Sequence, residues 1–248
     1  VTDTHDSIRE YWDRDASFYD RSASHAVSDP LEAATWRAVM TQVLPEPPAS
    51  ILDAGAGTGS LTLLAAELGH RVTALDLSEG MLSKAREKAA ARGLDVEFEV
   101  GSAMAPPAGP FDVVMERHLL WTMPDPVAAL SAWRDVTAHG GRLVLFEGVW
   151  HEQGAIAALK DAAAAVTRRV MGVPVHHHAP YPDEVLARLP LAGAGSPLPY
   201  IGAVEAAGWS GIRVHRLRDI EWAARSHEPW PLRWLEHRLK YALVADRG

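Results

Sequence analysis

The stretch Asp53-Ala54-Gly55-Ala56-Gly57-Thr58-Gly59 sets three glycines at alternate positions behind a carboxylate. Glycine lets a backbone turn sharply and approach a ligand with no side chain in the way. An apolar run, Ser50-Ile51-Leu52-Asp53, leads into it, and a helical pattern from Ser60 to Leu68 follows. Such a loop ends on a helix N-terminus, whose first N–H groups lack intrahelical partners and suit a polar ligand. A second acid, Asp76, closes the next apolar run. Consecutive strands of a parallel sheet place their tips side by side, so Asp76 can meet a ribose docked against the loop. Two ligands fit this arrangement. A dinucleotide sets its pyrophosphate on a GxGxxG loop, with an acid about 20 residues further on. Here the spacing is GxGxG, and Asp53 stands two residues ahead of the first glycine. A carboxylate at that point opposes a pyrophosphate and attracts an ammonium group.

Other chemistry-bearing residues lie further along. His118 follows the fourth apolar run and is the best single candidate for a base or a ligand contact. The competing account is a histidine near the sheet edge bonded to backbone. Trp121, close by, suits core or a pocket wall. Glu147 and His151 flank the tip of a fifth run, and His176-His177-His178 sits in a later loop. Three adjacent histidines diverge in any regular backbone, whereas metal sites draw ligands from separated positions. No metal is expected, and one of the three is placed against a substrate instead.

These groups need elements to hold them. Helical patterns run from about Thr4 to Tyr19 and from Pro30 to Leu44, the second entered by an Asp29 cap and a first-turn proline. Strands are expected at Ser50–Asp53, Val72–Leu75, Val96–Val100, Phe111–Met115 and Leu143–Phe146. Helices at Ser60–Leu68, Ser78–Arg92 and Asp125–Ala138 alternate with them. That alternation predicts an α/β fold: a mostly parallel sheet of Rossmann-like kind with helices on both faces. After Trp150 the pattern changes to an Ala-rich helix over Glu152–Val170, a loop to Pro182, a helix over Asp183–Leu189 and a Gly/Pro-rich connector at Leu191–Pro199. A helix over Pro199–Ala207 and two strands, Ile212–Trp222 and Arg238–Val244, complete the pattern. Trp222, Trp230 and Trp234 are expected in the core or at a subunit interface.

Composition narrows the function. The 248 residues carry 24 basic against 32 acidic side chains, a net −8, which disfavours a polynucleotide partner. There is no cysteine, so disulfides, thiolate metal sites and cysteine nucleophiles are excluded. No apolar run approaches the roughly 20 residues that span a bilayer. A cytoplasmic protein, monomer or homodimer, is the expectation.

Ile51-Leu52-Asp53-Ala54-Gly55-Ala56-Gly57-Thr58-Gly59 resembles motif I of class I S-adenosylmethionine-dependent methyltransferases, and Ala74-Leu75-Asp76-Leu77-Ser78 resembles their second motif. Gly101-Ser102-Ala103 stands where that family usually has Gly-Asp-Ala against the adenine; Ser102 replaces the acid and can still accept a hydrogen bond. Phe111-Asp112-Val113-Val114 and Gly140-Gly141-Arg142-Leu143 are similar to its fourth strand and to the turn into its fifth. The likeness is close over residues 50–150 and looser at Val204-Glu205-Ala206-Ala207-Gly208-Trp209. It implies a seven-stranded sheet and S-adenosylmethionine as methyl donor, with S-adenosylhomocysteine as product. The implied cofactor residues are Tyr11, Tyr19, Asp53, Ala54, Gly55, Gly57, Asp76, Leu77, Met81, Ser102, Ala103, Met104 and Arg117. Tyr11 and Tyr19 belong to a segment like the family's N-terminal lid, where an aromatic face attracts a sulfonium.

The resemblance implies a lid over residues 1–48, a cofactor-binding core over 49–150, an insertion over 151–198 that builds the acceptor pocket, and a last helix with a terminal β-hairpin over 199–248. The Asn/Asp-Pro-Pro-aromatic motif of some polymer-directed relatives is missing after the fourth strand. The expected activity is methyl transfer to a small molecule, on oxygen or nitrogen, in natural-product tailoring. His118 is the catalytic candidate, and Trp121, Glu147, His151, His176, His177 and His178 are pocket candidates. An NAD(P)-dependent oxidoreductase, or a domain that binds cofactor or partner without turnover, is the alternative.

Overall fold

A computed structural model describes residues 9–13, 19–21, 27, 29–149, 154–173, 181, 183–226, 228–236 and 238–248. Its strands are β1 (Ser50–Ala54), β2 (Arg71–Asp76), β3 (Glu97–Val100), β4 (Phe111–Arg117), β5 (Thr137–Gly148), β6 (Ser210–Arg216) and β7 (Lys240–Asp246). They form one sheet in the order β3-β2-β1-β4-β5-β7-β6. The first five run parallel, and β7 is antiparallel to both β5 and β6. The order reverses between β1 and β4, and a crevice at such a point is where open α/β sheets bind ligands.

Helices α1 (Pro30–Val43), α2 (Ser60–Glu67), α3 (Glu79–Arg92) and α4 (Pro126–Val136) connect or flank the parallel strands. Side-chain caps start α1, α3 and α4, whereas α2 follows Gly59 with no side-chain cap. Asp29 accepts the N–H groups of Leu31 and Glu32 at the head of α1, and Asp125 accepts that of Ala128 at the head of α4. Ser78 caps α3 through Met81 N–H, and Gly93 at φ 64° ends it. Later helices are α5 (Ala155–Met171), α6 (Asp183–Leu186), α7 (Leu198–Ala206), α8 (Arg218–Ser226) and α9 (Trp230–Leu235). No helix among the described residues is long and apolar enough to cross a membrane.

The core has two layers, one on each sheet face. Leu52, Val114, Leu143, Leu145 and Leu243 pack against Leu130 and Trp133 of α4 and Tyr200 and Val204 of α7. Ile51, Val113, Val144 and Phe146 pack against Trp36 and Met40 of α1, Leu61 of α2 and Ile220 of α8. Runs apolar on both faces are what a covered parallel sheet requires.

Several expectations need correction. The strand expected over Ile212–Trp222 ends at Arg216, and Trp222 lies on α8. Leu217, Ile220 and Ala223 are buried at helical spacing, so the apolar period changes from strand to helix at Arg216. The end of the chain is therefore no simple hairpin: β6 and β7 pair, but α8 and α9 lie between them. Trp222, Trp230 and Trp234 are exposed at 57%, 82% and 67%, which removes them from the core. Helix α4 stops at Val136, and β5 runs from Thr137 through Gly140-Gly141 to Gly148. Helix α6 ends at Leu186, three residues early, and α7 begins at Leu198, within the expected connector. At the N-terminus, 9–13 is helical, but Tyr19 falls in a separate 3-10 turn, Tyr19–Arg21.

Candidate active site

The loop after β1 lies on the tip of β2. The N–H groups of Gly55 and Ala56 both donate to Leu75 O, at 2.8 and 3.0 Å. Gly55, Gly57 and Gly59 have φ of 70°, 55° and 84°, values that exclude most side chains. A Cβ built on Gly57 would meet nothing within 4 Å, so open space lies over the loop. Asp76 supports the loop from below: one carboxylate oxygen accepts Gly57 N–H at 2.7 Å, and the other accepts Ser78 N–H at 2.9 Å. Each oxygen keeps a second lone pair for a hydroxyl.

Asp53 is buried beneath the loop, and Thr62 Oγ1 donates to it at 2.5 Å. Burial pushes its carboxyl up to about 7, against the pull of Thr62 and of Arg117. A carboxyl so placed calls for a cation. Arg117 ends β4 on the face opposite Glu116, and its guanidinium lies 5.5 Å from the Trp36 ring. Leu77 and Met81 flank the Ser78 cap, with Met81 buried.

The segment after β3 is built by turns. Gly101 N–H donates to Asp76 O, and Ser102 Oγ accepts Met104 N–H at 3.2 Å. Trp133 of α4 fixes the segment, its indole N–H donating to Ala103 O at 2.7 Å. Trp133 escaped the sequence reading because a buried tryptophan on an amphipathic helix reads as core, which it also is.

The N-terminal segment closes over this side. Asp13 accepts Ser78 Oγ–H at 2.5 Å, and Asp20 accepts Thr58 Oγ1–H at 2.6 Å and pairs with Lys88 at 2.7 Å. Tyr11 stacks on Tyr181 at 4.7 Å between ring centroids; Trp12 meets Tyr11, Tyr19 and Tyr181, and Trp121 meets Tyr181 at 5.7 Å. The five rings form one aromatic cluster. Trp12, Tyr181, Asp13 and Asp20 had no separate signal in the sequence.

Beyond the loop, the tips of β4 and β5 carry two fully buried acids. Glu116 accepts Leu119 N–H at 2.6 Å and Leu120 N–H at 3.3 Å, capping the turn Leu120–Thr122. Burial pushes it up to about 8. Glu147 lies on the same sheet face, and burial together with Glu116 pushes its carboxyl well up. Its Oε2 is 3.3 Å from His118 Nδ1. His118 has φ 61°, unusual outside glycine, and its N–H donates to Phe146 O. Glu116 was missed, although an acid ending so apolar a run as Phe111–Met115 is itself a signal. His151 and His176, His177 and His178 lie outside the described residues. No cluster of three or more acidic or histidine side chains that could hold a metal occurs among the described residues.

Comparison with known proteins decides the family. The family described as methyltransferase domain matches residues 51–141. A ubiquinone biosynthesis O-methyltransferase of Xanthomonas axonopodis pv. citri (strain 306) is 33% identical over 185 residues, 73% of this chain and 68% of the relative. The chain belongs to the class I S-adenosylmethionine-dependent methyltransferases. Aklanonic acid methyltransferase DauC of Streptomyces sp. (strain C5) is 37% identical over 106 residues, 40% of this chain and 48% of that protein. The fold is shared with geranyl diphosphate C-methyltransferase from Streptomyces coelicolor A3(2), solved with Mg2+, geranyl diphosphate and S-adenosyl-L-homocysteine. The TM-score is 0.65 at 16% identity, covering 100% of this chain and 99% of that one. The enzyme's methyl donor is S-adenosylmethionine, and the open loop, the raised acid beneath it and the spare lone pairs of Asp76 all fit that molecule.

Proposed function

We propose that this methyltransferase acts on a small molecule and places the methyl group on an ionisable hydroxyl, as in natural-product tailoring. The observation that carries the reading is His118, beside buried Glu147 at the tips of β4 and β5, next to the donor loop. A hydroxyl must lose its proton as it attacks, and a positioned histidine is the commonest group to take it. The O-methyltransferase name of the Xanthomonas relative supports the same choice. Asp53 would hold the donor's ammonium, Asp76 its ribose, and the turn Ser102-Ala103-Met104 its adenine. The glycine backbone at Gly57 leaves room for the methionine portion, Leu119 packs against Gly55, and Tyr11 and Tyr19 cover the donor. When bound, the donor supplies an electrophilic methyl group. The acceptor's O–H bond breaks toward His118, its oxygen bonds to the methyl carbon, and the carbon–sulfur bond breaks with its electron pair going to sulfur. The protein's part is alignment, exclusion of water by the aromatic cluster, and custody of one proton.

Titration calorimetry with S-adenosylhomocysteine should show binding in the micromolar range, and Asp76→Ala should weaken it by about 10- to 100-fold. Labelled donor with a catechol as probe acceptor should give a labelled ether. Binding of NAD in place of either donor form would refute the assignment.

A further inference from the structure

We propose that Glu147 is a positioning residue for His118: its carboxylate accepts the Nδ1–H of the imidazole and so fixes the tautomer whose Nε2 takes the acceptor's proton. This deepens the reading above and rests on His118 acting on the acceptor. Three observations carry it. The Glu147 side chain has no exposure while that of His118 keeps 23%, so the pair joins a sealed acid to a ring that a ligand can reach. The ring is aimed by its backbone. His118 adopts a left-handed conformation that side chains occupy only when their surroundings enforce it, and such residues gather at functional sites. The enforcing contact is His118 N–H on Phe146 O, one residue before Glu147, so β5 holds both the backbone and the ring of the same histidine.

The groups that face the pair decide where charge resides. Glu116 comes from β4, Tyr200 from α7 and Tyr241 from β7. Glu116 has only backbone N–H donors on one oxygen; its other oxygen, like Glu147 Oε1 and the Tyr241 hydroxyl, has no partner among the described residues. Two adjacent buried carboxylates do not both ionise, and one proton remains between them. Burial raises both carboxyls, and an Nδ1–H 3.3 Å away draws the pair's one negative charge to Glu147 as the imidazolium forms. During transfer the acceptor's O–H bond breaks and an Nε2–H bond forms. The oxygen–methyl bond forms as the carbon–sulfur bond breaks. The positive charge that leaves sulfur reappears on the imidazolium, next to Glu147. In a water-poor site that pairing is stronger than it would be in solvent.

The test is nitrogen NMR of the full chain with 15N-labelled histidine and S-adenosylhomocysteine, His118→Asn identifying the resonance. Above the ring's titration, the wild type should show a protonated Nδ1 and a bare Nε2. Glu147→Gln should move the ring toward the Nε2–H form. It should also lower the acidic limb of the pH profile and reduce kcat on a catechol probe by about 10- to 1,000-fold, with KM for the donor little changed. Glu147→Asp should recover part of both. A wild-type ring protonated on Nε2, or a tautomer indifferent to Glu147→Gln, overturns the proposal. If Glu147→Gln does not fold, the tautomers of the wild type and of Glu147→Asp decide it. A wild-type chain that keeps the Nδ1–H form yet fails to bind S-adenosylhomocysteine supports the pairing and overturns only the assignment of the site.

Discussion

Asp53 shows how one buried residue ties ligand binding to pH. Its carboxyl sits at about 7 because burial penalises the charge more than Thr62 and Arg117 relieve it. An ammonium group brought alongside would favour the ionised form and release the residual proton. Affinity for S-adenosylhomocysteine should therefore be level above pH 8 and weaken by about 10-fold per unit as pH falls below 7. Calorimetry in buffers of different ionisation enthalpy should register the released proton, and Asp53→Asn should abolish the release. Asp53 and Asp76 were legible in the sequence because each sits within a few residues of a diagnostic turn. Glu116, Trp133 and Tyr181 were not. Their roles arise from packing between segments far apart in the chain, and nothing in their immediate neighbours announces it.

At the scale of elements, the join between α2 and α3 is tight. A Cβ on Gly59 would stand 2.9 Å from Ala85 Cβ and 3.4 Å from its Cα, at a φ of 84°. Neither neighbour is the loose end of a flexible side chain. Gly59→Ala should cost about 1–3 kcal/mol of stability through backbone strain and displaced helices. Urea unfolding should show this as a lower midpoint with unchanged slope, and the loop should bind S-adenosylhomocysteine less tightly. The parallel half of the sheet was readable because strand, turn, cap and helix repeat with clear chemistry, as at Asp29, Ser78 and Asp125. The C-terminal half was harder. Helix α8 buries Leu217, Ile220 and Ala223 yet exposes Trp222, so counting large apolar residues misplaced it. Exposed β6 likewise has no apolar alternation to mark where it stops.

Across the whole molecule, four carboxyls sit above their ordinary range inside one sheet: Asp53, Asp76, Glu116 and Glu147. A carboxyl raised on folding contributes stability that is complete below its unfolded pKa and is lost as pH rises through its folded one. The ligand-free enzyme should thus melt at progressively lower temperature between pH 5 and pH 8.5. Glu116→Gln, which cannot ionise, should flatten that fall, by about 2–4 °C of Tm for each kcal/mol retained. Melting by near-ultraviolet circular dichroism across that range would show it.

Strand β7 has a consequence for how the chain is made. It is the latest strand in sequence, yet it occupies an interior place in the sheet, bonded to β5 on one side and β6 on the other. A ribosome that has not yet released residues 240–246 holds a polypeptide whose β5 edge is bare and whose β6 has no neighbour to join. Closure of the sheet therefore waits on these residues, and a nascent chain arrested before they emerge should depend on chaperones.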